Sequence, residues 1–526
     1  MENTATTTAE TPKPASKIRW WPGALIVGLA GGVLGYIWIF EDVQRQNKNI
    51  QTLIVTVATL GLLLLWVLLL SRLRWKRRFQ IVGGVLAALG LFAACFQITG
   101  VSGDLVPELA WRWKSKRTLK DFNDEFAASP DVGGEIEGVP AFSQFGGSNR
   151  DGVLPGIKLS RDWDASPPKE LWRRPVGGGW SGFATFGSRA VTMEQRGNQE
   201  WITCYHVVTG DPQWSYAYDA EYISKVAGDG PRTVPTIDSG FVYCIGSTGV
   251  LTCLTLETGE LKWSKNILDE HDRSPPEWGF SSSPLVLGDR VITNPGGHDD
   301  ASIVAYDRST GEKLWGGGID SAHYSSPVLT SLHGVPQVLL FNRKRIVGHD
   351  PENGDVLWEY DWFGPNQPNV TMPVVVEGNR VLASAGYGEG TDLFRVDRAD
   401  GEWSTERVWR SKRLKSKFGW ILVIDGFVYG LDDGVFTCID LETGERSWKK
   451  GRYGHGQMIL AGDVILMMAE QGDVVMIDPK PDALHELARV TAFDSKTWNP
   501  LALAGEYLLV RNDREAVCYQ LPVLEK

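Results

Sequence analysis

The chain has 526 residues, of which 43% are hydrophobic and 22% charged, so it is too long for one ordinary domain and ordinary in overall composition. Its charge is uneven: the first hundred residues carry ten Lys/Arg against four Asp/Glu, and the rest carries −17 within a total of −11, which makes nucleic acid a poor partner. The six cysteines show no CxxC or Cys/His spacing and give no zinc pattern.

In chain order, residues 1–19 are rich in Thr and Ala, contain Lys13, Lys17 and Arg19, and read as a disordered basic tail. Residues 20–101 hold three apolar runs, 20–40, 50–70 and 79–101, each about the twenty residues with which a helix crosses a bilayer. Trp20, Trp21, Trp66 and Trp75 stand near their ends, where interfacial aromatics are favoured. Arg72, Arg74, Lys76, Arg77 and Arg78 crowd the loop between the second and third runs, which predicts that this loop is cytoplasmic. The expected topology is a multi-pass protein of the inner (cytoplasmic) membrane, with its N-terminus inside and everything after Val101 in the periplasm or outside. A signal peptide is the alternative for the first run, but it lacks a small-residue cleavage site. The stretch Leu91-Phe92-Ala93-Ala94-Cys95 resembles a lipobox, yet two spans precede it and Phe92 is out of pattern, so Cys95 reads as a small helix residue.

Residues 102–165 read as a juxtamembrane collar and linker, closed by Phe145-Gly146-Gly147-Ser148-Asn149-Arg150-Asp151-Gly152. Residues 166–526 are repetitive. Phe436–Trp448 reads FTCIDLETGERSW, a β-rich run, a Thr-Gly turn and a Trp on the returning strand. Copies end at Trp214, Trp263, Trp315 and Trp358, and a degenerate copy runs from Leu393 to Trp409. The turn glycines Gly210, Gly259, Gly311, Gly354, Gly401 and Gly444 recur at intervals of roughly 47 residues, the length of a four-stranded propeller blade. Cys204, Cys253, Cys438 and Cys518 share one strand slot, filled by Ala305 and Gly348 in other copies, so the slot wants a small side chain. Cys244 lies across a hairpin from Cys253, and the register leaves a disulfide open. Eight stretches fit the hairpin strand, but the last, Ala516–Gln520, has no chain left for an outer strand. Glu170–Val176, with Trp172 at the repeat position, supplies it and closes the ring. The expected fold is all-β, an eight-bladed β-propeller with seven blades as the fallback, preceded by three transmembrane helices.

Ala305–Trp315 resembles the A-x-D-x-x-T-G-x-x-x-W signature of the PQQ-like, quinoprotein alcohol dehydrogenase-type β-propellers, and residues 145–152 resemble that family's opening motif. The resemblance covers about two-thirds of the chain. It implies that the repeat tryptophans dock between blades, and it identifies a fold rather than an activity.

A site is sought where innermost strands begin, just after Pro235, Pro284, Pro327, Pro373 and Pro500. The residues upstream are Trp180, Arg232, Trp278 and Phe280, His323 and Tyr324, Asn369, Lys415 and Lys417, Tyr453 and His455, Trp498 and Asn499. Of these, Trp180, Arg232, Trp278, His323, Tyr324, Lys417, His455 and Trp498 are expected to line a central funnel for an anionic or aromatic ligand. Packing between blades is the competing reading of each. No catalytic or metal-binding residue is expected. The family resemblance would imply a quinone between a Trp and an adjacent-cysteine disulfide, with Ca²⁺ on Glu, Asn and Asp. No Cys-Cys pair exists here, and the funnel positions lean toward cations and rings. Two readings follow. One is a noncatalytic, membrane-tethered binding or scaffold module at the cell envelope, without cofactor, similar in fold to the lipoprotein scaffold of outer-membrane β-barrel assembly, with an envelope protein or the funnel ligand as partner. The alternative is a PQQ- and calcium-dependent dehydrogenase with a modified pocket.

A reporter active only outside the cytoplasm is expected to work when fused at Lys526 and to fail when inserted between Ser71 and Arg78; the reverse result inverts the topology.

Overall fold

The computed structural model describes residues 18–41, 43–113, 140–362, 364 and 368–524, so residues 1–17 of the basic tail and 114–139 of the collar lie outside it. The chain divides into two units, Met1–Ser115 and Lys116–Lys526.

The first unit contains α1 (Trp21–Ile39), α2 (Arg45–Leu69) and α3 (Trp75–Cys95), each long and apolar enough to cross a membrane. Trp66 Nε1 at the end of α2 donates to Arg19 O before α1 at 3.1 Å, and Trp38 Nε1 joins Thr52 Oγ1 at the other end at 3.0 Å, so α1 and α2 are antiparallel. The third apolar run departs from expectation. Its helix ends at Cys95, and residues 96–101 form β1 (Phe96–Val101), paired antiparallel with β2 (Pro107–Trp111). The physical reason lies in Gln97-Ile98-Thr99-Gly100-Val101, where β-branched residues and a glycine replace the Leu/Ala composition of α3.

The second unit is a propeller of eight blades, each a four-stranded antiparallel sheet, one of which carries a fifth, parallel strand. In chain order the blades occupy 184–219, 236–266, 285–317, 328–361, 374–411, 422–452, 457–491 and 502–520, hereafter blades 1 to 8. Blade 8 is completed by the N-terminal strand Lys169–Pro175, with Cys518 opposite Trp172. The two ends of the domain thus share one sheet and leave no open edge between first and last blades.

The small-residue slot has a geometric cause. Cys204, Cys253, Ala305, Gly348, Cys438 and Cys518 each lie directly opposite a repeat Trp, and a register shift follows at once. Each indole leans across its partner toward the next blade. A methyl group in place of the Gly210 hydrogen would lie 2.6 Å from the Trp172 ring, and Gly210 has φ +72°, so only glycine serves there. Gly259, Gly311, Gly354 and Gly444 lie in the same way under Trp214, Trp263, Trp315 and Trp409. The indole N–H groups of Trp172, Trp214, Trp263, Trp409 and Trp448 donate to Val207, Leu256, Arg308, Leu441 and Lys480 carbonyls of the following blade at 2.7–3.0 Å. Trp358 differs: it donates to Gln337 Oε1 in its own blade, and Gly401 has no ring above it. Trp172, Trp214 and Trp358 are buried, whereas Trp263, Trp315 and Trp448 are half-buried.

Blade 7 has no repeat Trp: Met476 faces Ala488. Blade 8 draws its third and fourth strands from opposite chain ends, so it has no turn on which such a Trp would sit. Trp163 and Leu159, from the segment expected to be linker, are buried in the same apolar cluster as Met476, Phe493 and Tyr519. The segment 140–154 is likewise part of the propeller. Phe142 bridges Thr185, Ser143 O accepts from Ile237 N, and Val153–Leu154 adds a parallel strand to blade 7. Buried Arg150 reaches Ser283 O and Pro284 O in blade 3 at 3.0 and 2.8 Å, and Phe145 packs on Trp420 before blade 6. This stretch touches blades on both sides of the axis and plugs the centre.

Cys244 pairs with Thr252 and Cys253 with Tyr243, which turns the two thiols to opposite faces of their sheet; both are free.

Trp163→Ala is expected to cost about as much as Trp214→Ala, on the order of 3–5 kcal/mol, read as the loss of unfolding free energy in denaturant. A silent Trp163→Ala would show that this side chain does not replace the missing Trp.

Candidate functional site

Each blade's fourth strand runs back toward the axis of the next blade, so the segments before the innermost strands gather at one face. A layer of small polar residues there joins neighbours. Val234 N donates to Ser283 Oγ at 2.8 Å, and Ser283 N to Ser326 Oγ at 2.9 Å, linking blades 2, 3 and 4. Gln457 Nε2 donates to Phe418 O and Trp498 O, while Asn499 Nδ2 donates to Gly179 O and Ser181 O across the closure seam. Prolines at 235, 284, 327, 373 and 500 suit this region, where the chain turns without a ladder N–H.

Above this layer the aromatic residues form a nearly continuous circuit. Trp180 packs on Trp498 with centroids 5.0 Å apart, and Lys496 Nζ lies 4.4 Å from the Trp498 ring and 5.2 Å from Trp180. Trp498 meets Phe418 edge-on at 5.3 Å, and Phe418 meets His455 at 5.7 Å. Lys417 Nζ lies 4.5 Å over Tyr387, which neighbours Trp278 at 6.1 Å. Trp278 stacks on Tyr324 at 5.8 Å, and Tyr324 on His323 at 5.3 Å. On the remaining side, the Arg232 guanidinium covers Tyr222 at 4.6 Å, and Tyr222 Oη donates to Glu277 O beside Trp278.

All eight expected residues therefore meet at this face, but their exposures differ. Trp180 is buried and donates to Ala227 O, and His455 is 2% exposed. Arg232 donates to Gly228 O and Gly230 O, so it holds its own loop, and burial pulls its pKa down to about 10. Trp278, Tyr324, Phe418 and Trp498 remain half-exposed. Buried Glu470 accepts from His455 N at 2.9 Å and Trp498 Nε1 at 3.1 Å, fixing both. Of the upstream positions named with them, Phe280, Asn369, Tyr453 and Asn499 are buried, and Lys415 pairs with Asp432 at 2.5 Å.

Tyr222, Tyr387, Phe418, Glu470 and Lys496 were not legible as members. Phe418 and Lys496 adjoin residues that were, and Tyr387 occupies a second-to-third strand turn, which faces the same side as the start of every innermost strand. That alternation of turns was the available signal.

The face fits a quinone poorly. The rings that would sandwich one lie against each other and against Lys496, and among the described residues no three His, Cys, Asp or Glu side chains gather as a metal site.

Residues 162–450 match the protein family described as outer membrane protein assembly factor BamB. A curated relative of that name from Alteromonas naphthalenivorans is 30% identical over 149 residues, 28% of this chain and 26% of the relative's length. The crystal structure of BamB from Moraxella catarrhalis is similar with a TM-score of 0.50 at 16% identity, covering 68% of this chain and 99% of that one. Quinohemoprotein alcohol dehydrogenase from Comamonas testosteroni has a TM-score of 0.53 at 11% identity, covering 74% and 81%. At these identities both structural likenesses speak to the fold alone.

Burial, reinforced by Arg343, lowers the His323 pKa to about 4, and burial does the same to His349 in blade 4. Both folded values lie below the unfolded value of about 6.5, so the unfolded chain binds protons that the folded one refuses. Stability is fully present above pH 6.5 and lost as pH falls toward 4. Denaturation midpoints are expected to drop across that window, and His349→Gln to remove about 3 kcal/mol of the pH-dependent loss.

Proposed function

Because the chain belongs to the outer membrane protein assembly factor BamB family, we propose that it is a noncatalytic scaffold of the cell envelope, held to the inner membrane by α1–α3 and binding a protein partner through its aromatic face. The observation that carries the reading is the construction of that face. Rings and ammonium groups from six blades present a surface already packed within itself, and the axis behind it is plugged by residues 142–152. Such a surface suits a partner that lays side chains across it, with half-exposed Trp278 and Trp498 as anchors. The tether is supported by the three apolar helices and by the five basic residues between Arg72 and Arg78, which favour the cytoplasmic side for their loop.

A photo-crosslinking residue at position 278 of the full chain, expressed in cells, is expected to capture a discrete envelope protein that the same residue at exposed position 257, on an outer turn of blade 2, does not. Trp278→Ala is expected to weaken that contact by about tenfold or more, as for an aromatic interface anchor, with little change in melting temperature. Quinone absorbance and dye-linked alcohol oxidation on adding PQQ and Ca²⁺ would overturn the noncatalytic reading.

A further inference from the structure

The first unit contains a feature that a bundle of membrane helices does not require. The hairpin β1–β2 begins on the residue after α3, and its register places Phe96 opposite Trp111 and Ile98 opposite Leu109. Strand residues two apart share a face, so these four side chains lie on one side, and Gln97 and Ala110 on the other. The apolar side is uncovered within the unit: Ile98 and Leu109 are each 51% exposed and Trp111 is 54% exposed. Trp113 after β2 extends it, its ring 6.1 Å from that of Trp111. Phe92, Phe96, Trp111 and Trp113 make a ladder of rings with successive centroids 4.9, 4.5 and 6.1 Å apart, running from the end of α3 onto the hairpin.

The hairpin is tied to the helices at both ends. At its base, Arg112 Nε donates to Ala93 O at 2.8 Å, satisfying a carbonyl left open at the C-terminus of α3. At its turn, Asn49 Nδ2 donates to Asp104 O at 2.8 Å and Arg45 faces the Asp104 carboxylate at 3.4 Å, both from the first turns of α2. Attachment at one helix's end and another's start lays the hairpin across that end of the bundle instead of letting it project away. This is the end opposite the basic loop of residues 72–78.

We propose that β1–β2 is an interfacial anchor: it lies in the headgroup layer of the leaflet opposite the basic loop, with Phe96, Ile98, Leu109 and Trp111 turned to the acyl chains and Gln97 and Ala110 to water. The occupant of the apolar side is lipid, because that side continues the lipid-facing surface of α3 and consists of the aromatic and aliphatic groups that bilayer interfaces favour. The inference rests on α1–α3 crossing a membrane, as proposed above.

The test uses the full chain in phospholipid vesicles, with Cys95 replaced by Ala and single nitroxide labels at Ile98→Cys, Leu109→Cys, Gln97→Cys and Ala110→Cys, and at Leu62→Cys in the middle of α2. Labels at 98 and 109 are expected to collide severalfold more with oxygen, relative to a water-soluble nickel complex, than labels at 97 and 110. Equal, water-like accessibility at all four hairpin positions with a lipid-like label at 62 overturns the anchor and leaves the membrane tether standing. A water-like label at 62 as well overturns both.

Discussion

The docking of one blade's tryptophan onto the next blade's turn glycine is the contact on which the propeller depends. A four-stranded blade has two faces to bury and cannot do so alone. The indole supplies apolar area, and at five of the joints its N–H also satisfies a carbonyl of the following blade. The joint also dictates what lies around it. The residue facing the Trp has to be small, which explains Cys, Ala and Gly at one strand position without any thiol chemistry, and the turn residue has to be glycine because the ring takes the space of a Cβ.

The same rule explains its exceptions. A joint needs a turn, and blade 8, built from both ends of the chain, has none to offer blade 7; the repeat Trp is absent there, and Trp163 is buried in the apolar cluster that the two blades share. On the other side of blade 8, Trp172 docks on Gly210 and Val207 of blade 1 in the usual way, and a buried charged network adds to that joint. Buried Arg511 donates to Met193 O and Gly177 O, and buried Arg196 pairs with Glu194 at 2.9 Å. Against the burial that opposes ionisation, Arg196 and Arg511 hold the Glu194 carboxyl down at about 2. Tyr205 and Thr203 also donate to Glu194, and breaking the network would strand a charge in the interior. Directional bonds of this kind fix how blade 8, assembled from the two ends of the chain, sits against blade 1.

Much of the fold was legible because it repeats. The Trp and Gly spacing gave eight blades, and the lone Glu170–Val176 strand gave the closure, since each is a local pattern set by a local contact. What stayed hidden depends on contacts between distant segments. Nothing near Trp163 or Arg150 shows that residues 140–165 are core and plug, because their partners lie about 130 to 360 residues further on. The end of α3 was missed for another reason: hydropathy does not distinguish the apolar strand Phe96–Val101 from the helix before it. At the face, strand position brought Trp180, Trp278, His323, Tyr324, Lys417, His455 and Trp498 together, but it could not tell buried Trp180, Lys417 and His455, or Arg232 committed to its own loop carbonyls, from side chains that remain half-exposed.

That distinction bears on what the face can recognise. Small-molecule sites are concave and keep their polar groups converging on space. Here the axis is occupied by Arg150 and Phe145 from within the chain, Glu470 is engaged by His455 and Trp498, and the outermost rings lie against each other. A surface organised in this way has little freedom left to lose when something settles on it, which lowers the entropic cost of association. Its half-exposed edges are aromatic, formed by Trp278, Tyr324, Phe418 and Trp498. Preorganisation and the plugged axis together favour the reading of the propeller as a docking platform over that of a reaction vessel.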